Sequence, residues 1–540
     1  MSAPSQGATG TSADRWRGAA ALVYPFLFAV FPVLALLAAN IEMTHPAEAL
    51  RPALVALAVA ALVLLTARWI LGDWGKAALA STLFVVGSCA VGQARMQLAP
   101  PLSPADRNGA EVVALIVWLL LVGLGVGLLH RARHLPRSLP VVLTAIALAA
   151  LIQPAFRLVV HEVQAVQPWP LPSAGADLIP YRPTAAGSTR RPDIYYIILD
   201  GYGRSDVLDR LYGLDESAFL KDLEARGFYV ADQSRSNYGQ TSLSFASALN
   251  MSYLDDVAAA AGDDISQRQI ARLIRFNEVS RVLRGLGYSV TAFSNGYRRV
   301  ELSDADQFSF PSTSGITPFE ALLLESNAIW GARSVLASAG LPLAYPGYDV
   351  YRQRIEAGVE RLWQSPSLPG PKFVFAHLMI PHPPFVFDGD GGPLTPDAPF
   401  RGADGNQFMG SHREYIEGYR QQVLFAQHVL LVFLDHLAET GDDSAIVIVQ
   451  GDHGPGSQLD WNHPERTDAW ERTSILNAYR SPGIASSAWW PSITPVNTFR
   501  VLFDELFGGS YPKIPDRSYF SSWRAPYSFI PVPAQGGLGQ

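Results

Sequence analysis

Hydrophobic positions follow two different patterns along this chain. In the first third, five long stretches are apolar with few interruptions, and each approaches the roughly 20 helical residues that cross a bilayer. These stretches are residues 18–40, 52–71, 77–94, 112–129 and 140–160. After about residue 190 the apolar runs become short and alternate with amphipathic segments. The pattern therefore predicts five membrane-spanning helices followed by a separately folded domain.

The charges between the apolar stretches are unevenly distributed. Arg15 and Arg17 precede the first stretch, and Arg131, Arg133 and Arg137 follow the fourth. Short loops rich in Arg and Lys stay in the cytoplasm, so the chain is predicted to start there. An odd number of spans then places everything after the fifth span on the extracytoplasmic side of the cytoplasmic membrane.

These patterns divide the chain into four parts. We expect residues 1–17 to be a cytoplasmic N-terminus and residues 18–161 to be the five-span transmembrane domain. Residues 162–190 contain many prolines among Ser, Gly and Ala, which is typical of a semi-extended linker. In residues 191–540 helical and strand patterns alternate. This alternation predicts an α/β fold, an α/β/α domain with a mostly parallel central sheet.

Composition narrows the possible functions. Of 540 residues, 49% are hydrophobic and the mean hydropathy is above zero, which fits a protein partly embedded in lipid. The net charge is -7 and no basic stretch stands out, so no nucleic-acid partner is expected. Cys89 is the single cysteine and lies in an apolar stretch. An intrachain disulfide and a cysteine nucleophile in the second half are therefore excluded.

Two predicted strands end in side chains that bind metals. The apolar run from Ile194 to Leu199 stops at Asp200, and a second run, residues 445–449, leads to Asp452 and His453. In open α/β sheets, reactive groups gather just beyond the carboxyl ends of the strands. Carboxylate and imidazole together suit zinc and manganese alike. We therefore expect one divalent metal site there.

A hydroxyl residue lies between these two strands in the sequence. Thr241 falls in the segment SNYGQTSLS, directly before a helix-like FASALNM. One interpretation is that it serves as a helix N-cap. The other is that its Oγ1 coordinates the metal and attacks an ester phosphorus.

Taken in order, these motifs resemble a known superfamily. Asp200 in LDGYG, Thr241 in NYGQTS, His382 in IPHPPF, and Asp452-His453 in GDHG, behind five spans, resemble the alkaline phosphatase and sulfatase superfamily. The nearest resemblance is to its membrane-anchored lipoteichoic acid synthase and phosphoethanolamine transferase branch. It implies that Asp200, Thr241, Asp452 and His453 share one divalent cation. It also implies that Thr241 carries a covalent phospho-alcohol intermediate, in a sulfatase-like catalytic domain.

The chain departs from parts of this superfamily. Sulfatases carry C/S-x-P-x-R, from which formylglycine is made, whereas this chain reads Thr241-Ser-Leu-Ser-Phe. Sulfate-ester hydrolysis by that route is therefore disfavoured. Lipoteichoic acid synthases have a Glu where this chain has Asp200. The extra ligand set of two-metal phosphatases is not found near His377 or His382, so a single metal is expected.

Four further residues are candidates for substrate contact or structure. His382 lies between two prolines, a rigid setting that would hold its imidazole against a substrate oxygen; the alternative is a structural loop histidine. His463, in WNHPE, is a candidate for stabilising phosphoryl oxygens or protonating a leaving alkoxide. His377 lies in a strand-like run, and a buried, hydrogen-bonded core histidine explains it as well as a role in the site does. Asn295 follows a predicted strand and is a candidate substrate contact.

The prediction from these features is a membrane-bound, metal-dependent transferase. It would move a phosphoglycerol-type or phosphoethanolamine-type group from a phospholipid donor to a glycan or lipid acceptor of the cell envelope, with Thr241 and His382 as catalytic residues and His463 as a third candidate. One alternative is a sulfatase-like phosphodiesterase or sulfuric ester hydrolase. The other is a non-catalytic envelope scaffold.

Overall fold

The chain divides into two compact units in the computed structural model, which describes residues 12–98, 104–165, 191–262, 265–341 and 343–533. The first unit is Met1–Gln164 with Ile316–Gly347, and the second is Ala165–Gly315 with Tyr348–Gln540. The predicted linker lies outside the described residues from position 166 onward, as do residues 1–11 of the predicted cytoplasmic N-terminus. Those two assignments stay predictions.

The described residues form α-helices and β-strands with the following bounds. The helices are α1 Ser12–Asn40, α2 Leu50–Leu71, α3 Trp74–Leu98, α4 Pro104–Arg131, α5 Leu139–Ala165, α6 Ser205–Tyr212, α7 Ser217–Ala225, α8 Thr241–Asn250, α9 Asp255–Ala261, α10 Arg268–Arg275, α11 Glu278–Gly285, α12 Pro318–Glu325, α13 Gly331–Ser338, α14 Tyr348–Gln364, α15 His412–Glu439, α16 Ala469–Thr473 and α17 Pro495–Phe507. The strands are β1 Ile194–Leu199, β2 Tyr229–Val230, β3 Ser289–Phe293, β4 Gln307–Ser309, β5 Lys372–Leu378, β6 Ile446–Gly451, β7 Asn477–Arg480, β8 Ser518–Ser522 and β9 Ala525–Val532.

The first unit is built on α1 to α5. These helices account for five stretches that are long and apolar enough to cross a membrane, the second of which begins in the 3-10 turn before α2: Leu22–Asn40, Pro46–Leu71, Trp74–Gln97, Asp106–Arg131 and Leu139–Gln164. Many large apolar side chains on these helices are exposed, including Leu120 and Ile152 at 67% each. Exposed apolar helix faces fit lipid as the surrounding medium. The prediction of five apolar helices in this part of the chain is confirmed.

Two short helices from later in the sequence complete this unit. α12 and α13 lie within Ile316–Gly347, which the contacts group with the apolar helices. The sequence patterns predict residues 191–540 as one continuous domain. The structure groups Ile316–Gly347 with the apolar helices because α12 packs on α1 and α13 packs on α4. No local sequence pattern predicts these contacts.

The second unit contains a seven-stranded sheet of order β2-β7-β6-β1-β5-β3-β4. β1 lies between β5 and β6 and pairs with both in parallel. β3 pairs in parallel with β5 and β4, whereas β7 is antiparallel to β6 and to β2. The prediction of a mostly parallel central sheet is therefore confirmed.

Helices cover both faces of this sheet. Tyr196 of β1 packs on Phe499 of α17, and its neighbour Tyr195 packs on Phe433 of α15. Successive side chains of a strand point to opposite faces, so α17 and α15 lie on opposite sides of the sheet. β1, β5 and β6 are buried along their whole length, as expected for strands covered on both faces.

Candidate active site

The central strands end level with one another, and their ends carry the predicted ligands. Leu199, the last residue of β1, is opposite both Leu378 of β5 and Gly451 of β6. Asp200 therefore follows β1 at the same edge where Asp452 follows β6. The edge of a parallel sheet at which the carboxyl ends meet is where α/β enzymes bind their ligands.

The four predicted metal-binding residues come together at this edge. His453 Nε2 lies 3.6 Å from Asp200 Oδ1 and 3.3 Å from Asp452 Oδ2. The same nitrogen lies 3.1 Å from Thr241 Oγ1. Thr241 is the first residue of α8, and Gln240 occupies the N-cap position. The hydroxyl thus points to His453 and does not cap the helix.

In each of the two carboxylates, one oxygen has a polar partner and the other has no hydrogen-bond partner among the described residues. Asp200 Oδ2 lies 3.0 Å from His377 Nε2, and Asp452 Oδ1 accepts a 2.9 Å hydrogen bond from the Gly201 N–H. Asp200 Oδ1 and Asp452 Oδ2 are buried and have no hydrogen-bond partner among the residues that the structure describes. A buried carboxylate oxygen without a partner costs free energy. A divalent cation bound between these oxygens would remove that cost, so the residues present fit a metal.

A cation would also relieve electrostatic repulsion among the ligands, because a raised carboxyl pKa means that the ionised form is destabilised in its surroundings. Burial, followed by repulsion from Asp452, raises the pKa of Asp200 to about 8 from its usual value of 3.8. Burial and then the nearby Arg472 hold the pKa of His453 well below its usual value. Since Nδ1 of this neutral imidazole lies 2.9 Å from the Gly454 carbonyl and donates to it, Nε2 presents its lone pair to the site.

His377 fixes Asp200 through the carboxylate oxygen that does not face the cluster. Its Nδ1 lies 2.6 Å from Asn295 Nδ2, an N–H donor, so the ring proton sits on Nε2 and is donated to Asp200. Burial lowers the pKa of His377 to about 4. Asn295, predicted as a candidate substrate contact, instead orients this imidazole. Orientation of a ligand by a neighbour of this kind is usual at metal sites.

Arg472 and Asp404 belong to the site although the sequence analysis did not select them. Arg472 Nη2 lies 3.1 Å from His453 Nε2, and Nη1 donates to Asp404 Oδ2 at 2.6 Å. Arg472 Nε also donates to the Gly239 carbonyl, two residues before Thr241. Burial would raise the pKa of Asp404, but Arg472, His382, the Tyr415 hydrogen bond and His453 together lower it to about 2. One cation therefore joins the loop before Thr241 to the loop that carries His453.

The two remaining predicted catalytic histidines differ in position. His382 lies at the cluster: its Nε2 is 3.9 Å from Asp404 Oδ2, and its ring centroid is 6.1 Å from that of His453. Ligand atoms of Asp200, His382 and His453 lie within 4.8 Å of one another. The side chain of His463 is 49% exposed, with Nδ1 3.1 Å from Glu465. The structure does not bring His463 into the cluster.

The two glycines of the GDHG motif allow close backbone packing around the site. A Cβ on Gly454 would lie 2.1 Å from the Glu471 carbonyl oxygen, and a Cβ on Gly451 would lie 2.3 Å from that of Tyr202. Backbone atoms cannot move aside at such distances. Only glycine therefore lets the loop after β6 pack directly on the loop after β1 and on α16.

Comparison with known proteins agrees with this geometry. The family model described as Sulfatase matches residues 192–499, more than half of the chain. No curated protein matches the chain.

Solved structures similar to the chain are distant in sequence. The C-terminal periplasmic domain of EcEptC from Escherichia coli is 11% identical and aligns with a TM-score of 0.41 over 65% of this chain and 95% of that domain. BT1596, a 2-O GAG sulfatase, is 14% identical, with a TM-score of 0.39 over 62% of this chain and 73% of its own. The C-terminal periplasmic domain of phosphoethanolamine transferase EptC from Campylobacter jejuni is 13% identical, with a TM-score of 0.36 over 58% and 89%.

Proposed function

Because the chain belongs to the sulfatase family, we propose that it is a membrane-bound, metal-dependent transferase that uses Thr241 as its nucleophile. It would move a phosphoglycerol-type or phosphoethanolamine-type group from a phospholipid to a glycan or lipid of the cell envelope. One observation carries the proposal: the Thr241 hydroxyl lies against His453 Nε2, beside the two carboxylate oxygens that lack partners.

The open oxygens of Asp200 and Asp452, with His453 Nε2 and Thr241 Oγ1, would hold one divalent cation. When bound, zinc or manganese would favour the alkoxide form of the hydroxyl and neutralise charge on the phosphoryl oxygens. The chain supplies the geometry. His377 and the Gly201 N–H fix the two carboxylates, so their open oxygens are oriented before any substrate arrives.

In the proposed first step, Thr241 Oγ1 forms a bond to the donor phosphorus, and the bond from phosphorus to the lipid alcohol breaks. The N-terminal turn of α8 presents N–H groups to the transferred anion. His382, at the edge of the cluster, would stabilise charge on the phosphoryl oxygens. His463 stays a predicted proton donor to the leaving alkoxide. In the second step the oxygen of an acceptor hydroxyl forms a bond to phosphorus, the bond from phosphorus to Thr241 Oγ1 breaks, and the proton lost by the acceptor restores the Thr241 hydroxyl.

Hydrolysis is the second candidate function, and the match to the sulfatase family model favours it. The first step is the same, but water displaces Thr241 in place of a glycan or lipid hydroxyl. A phosphoester is the expected substrate in both cases, because Thr241-Ser-Leu-Ser-Phe does not match the C/S-x-P-x-R pattern from which formylglycine is made. A non-catalytic scaffold has little support, since a scaffold has no use for two buried carboxylate oxygens without partners.

The proposed location is the cytoplasmic membrane, with α1 to α5 spanning it and the catalytic unit on the extracytoplasmic side. The five apolar helices and the arginines around the first and fourth spans support this topology. A membrane anchor raises the effective concentration of a lipid donor at the active site. The role of the five helices in the reaction would be this higher local concentration of the lipid donor.

The test is the intact mass of the full chain in detergent after incubation with short-chain phosphatidylethanolamine or phosphatidylglycerol. We expect a mass increase of one headgroup phosphate that maps to Thr241. Thr241→Ala should show no adduct, whereas Thr241→Ser retains a hydroxyl and should be labelled. An adduct that persists in Thr241→Ala would refute the assignment of the nucleophile.

Three further measurements test the reaction type, the two histidines and the metal. Donor lipid labelled in its headgroup should yield labelled glycan or lipid acceptor if the protein is a transferase, and only free phospho-alcohol if it is a hydrolase. His382→Gln and His463→Gln, assayed side by side, test the two histidines. Metal analysis of the purified protein should find one zinc or manganese ion per chain, and Asp452→Asn should lose it.

A further inference from the structure

The segment Ile316–Gly347 has a different environment from the sequence around it. It contains α12, a 3-10 turn at Ala328–Trp330, and α13. The residues before and after it belong to the second unit, yet the segment itself belongs to the unit of apolar helices. The chain therefore connects the two units at both ends of this segment, in addition to the predicted linker.

Paired charges hold the segment to the apolar helices. Arg51 Nε, at the start of α2, donates to Glu320 Oε1 of α12 at 2.6 Å. Glu111 of α4 is completely buried and accepts from Ser334 Oγ of α13 at 2.5 Å and from Arg95 Nη1 of α3 at 3.2 Å. A buried carboxylate is tolerated only where it has partners, and here α13 supplies one of them. The contact is thus built into the fold.

Close backbone packing supports the same contact. A Cβ on Gly331, the first residue of α13, would lie 2.2 Å from the Glu111 carbonyl oxygen. A Cβ on Gly92 of α3 would lie 2.3 Å from the Ser326 carbonyl oxygen. Nearby, Arg95 Nη2 donates to the Glu325 carbonyl at 2.6 Å. Glycine at both positions lets the segment approach the helix backbones directly, as small residues do between membrane helices.

All these contacts lie at one end of the helix bundle. Arg95 is near the end of α3 and Glu111 near the start of α4, and Phe319 packs on the end of α1 beside Ile41. Leu158, near the end of α5, belongs to the same cluster. Because consecutive spans alternate in direction, these ends share one side of the membrane. The loop charges predict that this is the extracytoplasmic side.

The remaining surface of the segment is apolar and exposed. Seven large side chains are between 37% and 62% exposed: Ile316, Leu324, Ile329, Val335, Leu336, Leu341 and Leu343. Beside them the Arg333 guanidinium lies 3.4 Å above the Tyr345 ring and 5.9 Å from the Trp330 ring. The Tyr345 and Trp330 rings are themselves buried, so the exposed aliphatic side chains are the part of this surface available to lipid.

We propose that Ile316–Gly347 is an interfacial insertion whose exposed apolar side chains lie in the outer leaflet of the bilayer. Its continuity with the candidate spans identifies lipid as the occupant: Gly331 contacts Leu115 of the span Asp106–Arg131, and Ser326 contacts Gly92 of the span Trp74–Gln97. Side chains that extend from a surface docked on spanning helices meet the same lipid as those helices. The insertion thereby anchors the catalytic unit to the membrane through a second element, beyond the linker.

Spin-label accessibility in lipid nanodiscs tests the proposal on the full chain. The background is Cys89→Ser, which removes the single cysteine and keeps a donor for Asn327 Oδ1, 3.0 Å from Cys89 Sγ. The test variants are Val335→Cys and Leu341→Cys. Val432→Cys on α15 is the matched control, because Val432 and Val335 are each 43% exposed. Leu120→Cys, in a candidate span, gives the value for lipid.

We expect labels at Val335 and Leu341 to collide more often with oxygen than with a water-soluble nickel complex, as at Leu120. The label at Val432 should show the reverse. Water-like values at Val335 and Leu341 would overturn the proposal. A second copy of the chain could also cover this surface, so the measurement uses nanodiscs that hold one copy. If the labels were shielded from the nickel complex only in discs with two copies, the surface would be assigned to contact with a second chain, and the proposal would be overturned. Equal melting temperatures of the variants confirm that folding is unchanged.

Discussion

Replacing Arg472 by methionine would remove the cation that joins three parts of the active site. The Arg472 side chain is 2% exposed and its guanidinium donates to Asp404, to the Gly239 carbonyl and to the Gly454 carbonyl. Methionine fills much of the volume but offers no donor. Asp404, 5% exposed, would keep its negative charge without a cation beside it.

The expected cost follows from this burial. Leaving one partner of a buried ion pair uncompensated costs about 3–5 kcal/mol. The pKa of about 2 at Asp404 shows the direction: burial alone would raise it, and Arg472, the largest of the opposing contributions, lowers it together with His382, the Tyr415 hydrogen bond and His453. At about 1.4 °C per kcal/mol for a unit of roughly 340 residues, the melting temperature of the second unit should fall by ~4–7 °C.

The assay is thermal unfolding of the full chain in detergent, followed by tryptophan fluorescence. Arg226→Met is the matched control, because Arg226 pairs with Asp222 and Asp435 at the surface. Exposed pairs of this kind contribute only about 0–1 kcal/mol. Arg472→Met should therefore lower the melting temperature by several times as much as Arg226→Met.

A double variant isolates the charge. In Arg472→Met/Asp404→Asn the unpaired anion is gone, while the asparagine carbonyl can still accept from Tyr415 Oη and the Gly405 N–H. Part of the lost stability should return. The reasoning would be refuted by equal effects of Arg472→Met and Arg226→Met, or by a double variant as unstable as the sum of its two single changes.

Three further predictions concern pH, packing and metal. Burial raises the pKa of Glu216 from 4.5 to about 7, so the folded state binds this proton more tightly and stability should fall as pH rises between those values. Glu216→Gln should flatten the fall, seen as a smaller difference in melting temperature between about pH 5 and about pH 8; an unchanged difference would contradict this. Gly331→Ala should lower the melting temperature through its clash with Glu111, whereas Gly109→Ala, with open space around it, should not; equal effects would contradict the packing. A chelator should also lower the melting temperature, and zinc or manganese should restore it. Asp452→Asn should abolish that response, and a response that persists in this variant would place the metal elsewhere.

Local patterns in the sequence were enough for the architecture and for part of the site. Long apolar stretches identify spanning helices because a bilayer demands about 20 apolar residues in a row. Short apolar runs that stop at Asp200 and Asp452 identify two parallel strands and place both carboxylates at one edge of the sheet. The approach of Thr241 to His453 was expected from the resemblance to a family, not from spacing.

Only the tertiary structure decided the partners of these residues. Arg472 and Asp404 lie 68 positions apart, on a short helix and in a loop, and no periodicity links them. His463 has a motif-like setting but extends into solvent beside Glu465. Ile316–Gly347 reads like any amphipathic part of an α/β domain, yet it packs with the apolar helices. The physical reason is the same in each case: sequence periodicity reports which face of an element is buried, whereas the segment that buries it is determined by the folding of the whole chain.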